Sequence, residues 1–203
     1  MFIFHHCSTK LIGLLCAVLF IVLCACKEDP VVPKPPCYLR TSLPEHAYEN
    51  KRVISSLFNY RFDMSVNYSL SRNIGDKRFG FQEIDLGPLN GSLLLSTKVF
   101  TDRDSLIKLI NVANDLVDEH KIKADRIDFT QIIDPEHRVF GTFFTLTGNV
   151  ATNYQFYLTD STHRFIRGEV LLNCRPNYDS LRPSLDYLKV DLTRMINSFR
   201  WEN

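Results

Sequence analysis

The 203-residue sequence is poor in glycine (eight) and methionine (three), holds a single tryptophan, and carries almost no net charge, with 24 Lys and Arg against 23 Asp and Glu. A formal charge of +1 gives no basic field, which argues against a partner such as nucleic acid. There is no Cys-x-x-Cys pair, and His46, His120, His137 and His163 lack the i, i+4 spacing that places two imidazoles on one helix face. No metal site and no cofactor is expected. The chain also has no G-x-S-x-G elbow, no phosphate-cradling glycine loop and no H-E-x-x-H, so the common local signatures of hydrolases and nucleotide enzymes are absent. Its longest apolar run, residues 11–25, is too short for a comfortable membrane span.

That run has the character of a signal peptide. Lys10 precedes it, and the polar stretch Lys27-Glu28-Asp29-Pro30 follows it directly after Cys26. The tetrad Leu23-Cys24-Ala25-Cys26 resembles a bacterial lipobox, which places cleavage between Ala25 and Cys26 and acyl chains on Cys26. Each buried methylene contributes roughly 0.8 kcal/mol, so two or three chains hold a protein on a bilayer without a spanning helix. Residues 1–25 are thus expected to be a lipoprotein signal peptide. Residues 26–36, with Pro30, Pro33, Pro35 and Pro36, form a tether of extended geometry, about 30 Å at 3.1 Å per residue. Residues 37–203 form one domain.

Cys7, Cys16 and Cys24 leave with the signal peptide, and only Cys37 and Cys174 remain as thiols. In an oxidising envelope compartment they are candidates for a disulfide; alternatively Cys174, on the apolar face of its strand, is a buried free thiol.

The longest alternation lies in residues 139–174. It reads as three antiparallel strands over residues 139–147, 150–158 and 164–174, the first two joined by a two-residue turn at Gly148-Asn149. Val150, Tyr154, Phe156 and Leu158 share one face, which predicts one buried side and one partly wet side. Upstream, Phe58, Tyr60, Phe62, Met64, Val66, Tyr68 and Leu70 alternate with mostly polar residues as one long strand or a bent pair. Further strands are expected near residues 79–84, 92–100 and 127–133. Thr101 and Asp102 are candidate N-caps for a helix of about five turns with Leu106, Leu109, Ile110, Ala113, Leu116 and Val117 on one face. A second helix starts near Asn177, with Pro183 in its first turn and a stripe running through Leu185, Leu188, Leu192, Met195 and Ile196. The fold class is α+β, an antiparallel sheet of about six to seven strands covered by two main helices, and the order of elements is similar to the PsbP-like layout.

One enzymatic constellation stands out. Asp160-Ser161-Thr162-His163 sets a carboxylate, two hydroxyls and an imidazole side by side, within conceivable reach of His137 or Glu169. The same composition is routine in turns, because Asp, Ser and Thr side chains bond to nearby backbone N–H groups, and no catalytic residue is assigned. Tyr38, Tyr48, Phe58, Tyr60, Tyr68, Tyr154, Tyr157 and Trp201 offer aromatic area for a glycan or peptide groove, although most fall on core faces.

Several runs together resemble the gliding-motility lipoprotein GldD family. They are Gly148-Asn149-Val150-Ala151-Thr152, the stretch from Gln155 through Thr162, Phe165-Ile166-Arg167-Gly168, the stretch from Pro176 through Pro183, and the closing Trp201. Lys34-Pro35 with Tyr38, Arg40, Leu43-Pro44-Glu45 and Tyr48 is similar to the family's segment after the lipid, and Lys123-Ala124-Asp125 with Ile127-Asp128 to its stretch before the meander. The resemblance implies a lipoprotein required for surface gliding and type IX secretion; the expectation is a noncatalytic component of the cell envelope, lipid-anchored to a membrane and facing the periplasm, with the cell surface as the alternative. It also implies partners among the gliding-motility and type IX secretion proteins, the latter exporting adhesins and other cargo. The one functional position it carries over is Cys26.

Overall fold

The alternating segments assemble into two antiparallel sheets rather than one. The computed structural model describes residues 42–202; the signal segment, Cys26, the proline-rich stretch and Cys37 lie outside the described residues. The strands are β1 (Tyr48–Val53), β2 (Asn59–Ser65), β3 (Ser69–Gly75), β4 (Phe79–Asp85), β5 (Gly91–Val99), β6 (Ala124–Asp134), β7 (Val139–Gly148), β8 (Tyr154–Thr159), β9 (Arg164–Leu172) and β10 (Arg200–Glu202). Helix α1 (Arg103–Asp118) follows β5, and helix α2 (Tyr178–Ser198) follows β9. The large sheet has seven strands in the order β3-β4-β5-β9-β8-β7-β6, and the small one has the order β1-β2-β10. The α+β class, the seven-stranded antiparallel sheet and the two helices agree with the sequence reading. The small sheet is an addition to it.

Its origin is the break in the alternation of residues 57–70. After Ser65 the chain turns, with Tyr68 N–H donating to the Ser65 carbonyl at 3.0 Å, so β2 and β3 diverge into different sheets. Tyr60, Phe62 and Met64 of β2 then join Ile84, Leu93 and Leu95 of the large sheet in one core. Helix α2 seals that core with Leu185, Leu188, Leu192, Met195 and Ile196, and the buried Tyr154 hydroxyl of β8 donates to the Leu185 carbonyl at 3.0 Å.

The opposite face of the meander is covered in part and remains partly wet, as expected, with Thr142, Tyr157, Arg167 and Glu169 half-buried there. Ala113 and Val117 of α1 are buried in clusters with Phe165 and with Phe144, Leu146 and Val150, and α1 packs on β8 and β9. All of β8 is buried except the half-buried Tyr157. Gln155 is 1% exposed; the Arg167 guanidinium donates to its Oε1 at 2.6 Å, which satisfies the carbonyl half of the amide, while Nε2 has no hydrogen-bond partner among the described residues. A strand lying centrally between two neighbours and two helices keeps little solvent access, here only at Tyr157.

Local chemistry settles the element ends. Asp102 caps α1, its Oδ1 accepting from Ser105 N–H at 2.8 Å, and Asn177 caps α2 in the same way. Pro183 is inside α2 rather than in its first turn, since the cap sets the start at Tyr178. The β7–β8 connection is longer than the expected two residues. Gly148 takes a φ of +121°, and the loop runs through residues 149–153, held by the buried Asn153 amide donating to the Leu146 and Gly148 carbonyls. Cys174 is exposed, not buried, because β9 ends at Leu172 and the chain bends away, Cys174 N–H donating to the Leu172 carbonyl. At Gly168, opposite Phe156, an added Cβ would lie 2.2 Å from the Phe156 ring, so the absence of a side chain there lets the aromatic lie across β9.

Two substitutions on α2 test the covering helix. Leu192, 2% exposed and in the main core, when replaced by Asp should lose about 4 kcal/mol in urea unfolding. Lys189→Ala, on the exposed side, should change stability by less than about 0.5 kcal/mol. Equal midpoints for the two variants would refute the assignment of faces.

Candidate functional site

The turn between β8 and β9 is built from the four residues whose side chains suggested catalysis. Asp160, 7% exposed, accepts through Oδ1 from the N–H groups of Thr162 (2.8 Å), His163 (2.8 Å) and Arg164 (2.9 Å). Burial by itself would raise this carboxyl; the backbone N–H donors of His163, Arg164 and Thr162 outweigh it and hold Asp160 below the usual carboxylate range. Ser161 sits at φ +62°, and its hydroxyl donates to the Asp160 carbonyl at 2.7 Å. Arg138 reaches across from the β6–β7 turn to the Asp160 carbonyl and Thr162 Oγ1. His137 is paired with Asp134 through Nδ1 at 2.8 Å, and Glu169 with Arg167 at 2.8 Å. The polar atoms are thus engaged in structure: the carboxylate ties the turn, and the serine hydroxyl bonds to backbone.

A denser polar cluster, which no local motif marks, lies where the chain enters the domain. Asp191 stands in the apolar stripe of α2 and is 4% exposed. Its Oδ2 accepts from the Tyr68 hydroxyl at 2.5 Å, and its Oδ1 accepts from Tyr48 at 2.9 Å and pairs with His46 Nδ1 at 2.7 Å. A carboxylate only accepts, so His46 carries its proton on Nδ1. Tyr187 stacks on the His46 ring with centroids 4.2 Å apart. Burial first, and then the bond to Asp191, push the Tyr48 phenol up to about 12, and the same causes in the same order put Tyr68 far above its ordinary value. Both phenols thus remain donors at any physiological pH.

The cluster continues along α2. Arg194 lies over the Tyr48 ring, 5.7 Å from its centre, and grips Asp63 of β2 through Nε (2.9 Å) and a terminal nitrogen (2.6 Å). Asn50 of β1 donates to the same carboxylate at 3.0 Å, and this bond first, together with Arg194, holds Asp63 below the usual range against the opposing effect of burial. An Asp–His pair of this kind orients an imidazole, as in hydrolase triads, but those sites add a nucleophile on the far ring nitrogen. Here the imidazole is surrounded by phenols, Tyr48 bound to the same carboxylate and Tyr187 stacked on the ring. The arrangement fastens residues 46–50 to α2 and β2. Among the described residues no group of three or more His, Cys, Asp and Glu is placed to hold a metal ion.

The aromatic residues considered for a binding groove are mostly in the core. Phe58, Tyr60, Tyr68 and Tyr154 are buried. Trp201 packs edge-on against Phe199 at 4.7 Å and Phe58 at 5.6 Å, and its indole N–H donates to the Arg138 carbonyl at 2.9 Å. An open groove of about 360 Å³ does run between β6 and α2, lined by Ile132, Val139, Phe143, Lys189, Thr193 and Ile196 among others.

Compared with protein families, residues 28–201 match the model described as gliding motility lipoprotein GldD. The chain belongs to the GldD family. The comparisons with curated proteins and with solved structures return no match. Membership makes this a lipoprotein of the gliding motility system, anchored to a membrane of the cell envelope. Among the described residues no helix is long and apolar enough to cross a membrane. Of the site residues read from sequence, Ala25, Cys26 and Cys37 lie outside the described residues, and Cys174 is exposed at the end of β9.

Asp191→Leu in this GldD-family protein should leave the two phenols and His46 without their acceptor and lower stability by about 3 kcal/mol, against about 1 kcal/mol for Tyr68→Phe. Urea midpoints of the two variants check the ranking. For Asp160, whose folded pKa is depressed, the contribution is fully present above the ordinary carboxylate pKa of about 3.9 and fades as pH falls through the lower folded value. The stability gap between wild type and Asp160→Ala should therefore be flat from pH 7 to 5 and narrow below pH 4. A gap that widens with acid would contradict the hydrogen-bond account.

Proposed function

We propose that this protein is a noncatalytic, lipid-anchored accessory of the gliding machinery and of type IX protein secretion, acting by contact with other components of those systems. The observation that carries the reading is the family match over residues 28–201. The geometry is consistent with it. Asp160 and Ser161 are consumed in a turn, and His46 and Asp191 in fastening the entering chain. In this reading Cys26 is acylated after cleavage behind Ala25, and the domain faces the periplasm on a proline-rich tether.

A second reading, a glycan- or peptide-binding module of the envelope, is favoured only by the groove between β6 and α2. Its mixed lining, with Lys189, Thr193 and Asn197 beside Ile132 and Phe143, suits an extended polar chain with occasional apolar groups.

The test is a clean deletion in the native host, scored for colony spreading and for cargo protein in the cell-free medium. Complementation uses the wild type, Cys26→Ala and Ser161→Ala. Both phenotypes should be lost on deletion, restored by wild type and by Ser161→Ala, and not restored by Cys26→Ala. Undisturbed spreading and secretion in the deletion strain would overturn the proposal and leave the binding-module reading to be pursued with polysaccharide and peptide arrays.

A further inference from the structure

The β3–β4 hairpin ends in a cluster of apolar and basic side chains that the fold does not use. Helix α1 lies over β8 and β9 and leaves the same face of the sheet open at its β3 edge. There Ile74 pairs with Phe81, and Phe79 with Lys98 of β5. Ile74 is 53% exposed and Phe79 45%, and they border an open groove of about 680 Å³ whose lining also includes Arg78, Phe81, Ser96 and Lys98. Ile54 and Val99, both exposed, flank the same end, the Ile54 carbonyl accepting from the Asn73 amide at 2.8 Å. Lys77 and Arg78 stand at the tip, Arg78 with a side chain 89% exposed and only a loose 3.8 Å pairing with Asp76. Every residue of β3 is exposed, so nothing in the domain requires apolar residues at this end.

We propose that this hairpin end docks on the surface of an anionic phospholipid bilayer, with Ile74 and Phe79 entering the headgroup boundary and Lys77, Arg78 and Lys98 facing lipid phosphates. The charge fits the surface: lysine and arginine stems lie along apolar surface while their heads stay at the headgroup level, beside an aromatic ring suited to the same depth. The bilayer is also within reach. From Cys26 to Ser42 there are sixteen residue steps, spanning at most about 55 Å. The hairpin tip is one seven-residue strand away from the end of the domain where the chain enters, roughly 23 Å. Anchoring makes docking an intramolecular event, so a patch too weak to recruit a free protein suffices to orient a tethered one.

The proposal rests on acylation of Cys26, and the experiment reads that anchoring separately. The mature lipoprotein carrying Phe79→Trp is reconstituted into phosphatidylglycerol and phosphatidylethanolamine vesicles whose acyl chains are brominated. Retention on floated vesicles reports the anchor, and quenching of tryptophan emission, with Trp201 in the unaltered protein as background, reports the hairpin. We expect strong quenching of the added tryptophan and a blue-shifted emission. Both should vanish in pure phosphatidylcholine, at 1 M salt, and in the Lys77→Glu, Arg78→Glu, Lys98→Glu variant, while all samples still float. Each cation near an anionic surface contributes roughly fivefold to partitioning, so losing three should shift the docked fraction on the order of a hundredfold. An unquenched, solvent-like emission in the anionic vesicles would overturn the proposal, as would quenching that survives the three reversals. Loss of flotation would instead strike at the acyl anchor.

Discussion

Strand β8, buried at every position but Tyr157, has to be covered on both faces, and the rest of the domain answers to that requirement. Tyr154, Phe156 and Leu158 point into the core shared with β2 and α2, while Tyr157 points toward α1 beside Phe144 and Phe165. A single helix covers one side only, so the chain supplies one before the meander and one after it. The small sheet completes the first cover, because α2 is a cylinder about 10 Å across and a seven-stranded sheet is wider. Tyr60, Phe62 and Met64 of β2 fill the remaining width. The same limit on cover explains why the other face is closed only over β7, β8 and β9.

Much of this was legible in the sequence. The two-residue period marked β2 and the strands from β4 to β9, though not β1 or β10, and the three-and-four spacing with Asp102 and Asn177 as caps marked both helices. These signals are local, which is why they survive without knowledge of the fold. What depended on pairing was not legible. The division of residues 57–70 between two sheets follows from where β10 returns to pair with β2, and the burial of Gln155 and Thr159 follows from α1 docking on a face that alternation marked as polar. Cys174 was misplaced for a related reason: alternation continued one turn past the last residue that has a strand partner.

The polar sites divide in the same way. The Asp160 turn was visible as composition, and its structural role follows from three consecutive backbone donors within four residues. The Asp191 cluster joins residues separated by more than 120 positions, and no spacing rule connects His46, Tyr68 and Asp191. One signal was available: a lone acidic residue at a stripe position of α2, next to Leu188 and Leu192. A carboxylate there has to find donors from another element, since leaving it unpaired in the core costs several kcal/mol.

For a domain carried on an anchored chain, this cluster also determines how mechanical load is admitted. A pull on the chain ahead of Ser42 would otherwise peel β1 from β2 one residue pair at a time, starting at Tyr48 and Ser65. The bonds of His46 and Tyr48 to Asp191 put a clamp in front of that first pair and divert the tension into the middle of the long helix α2. Rupture then has to break several bonds in parallel and expose a buried charge in the same event. The strand is loaded as a riveted joint rather than as a zipper.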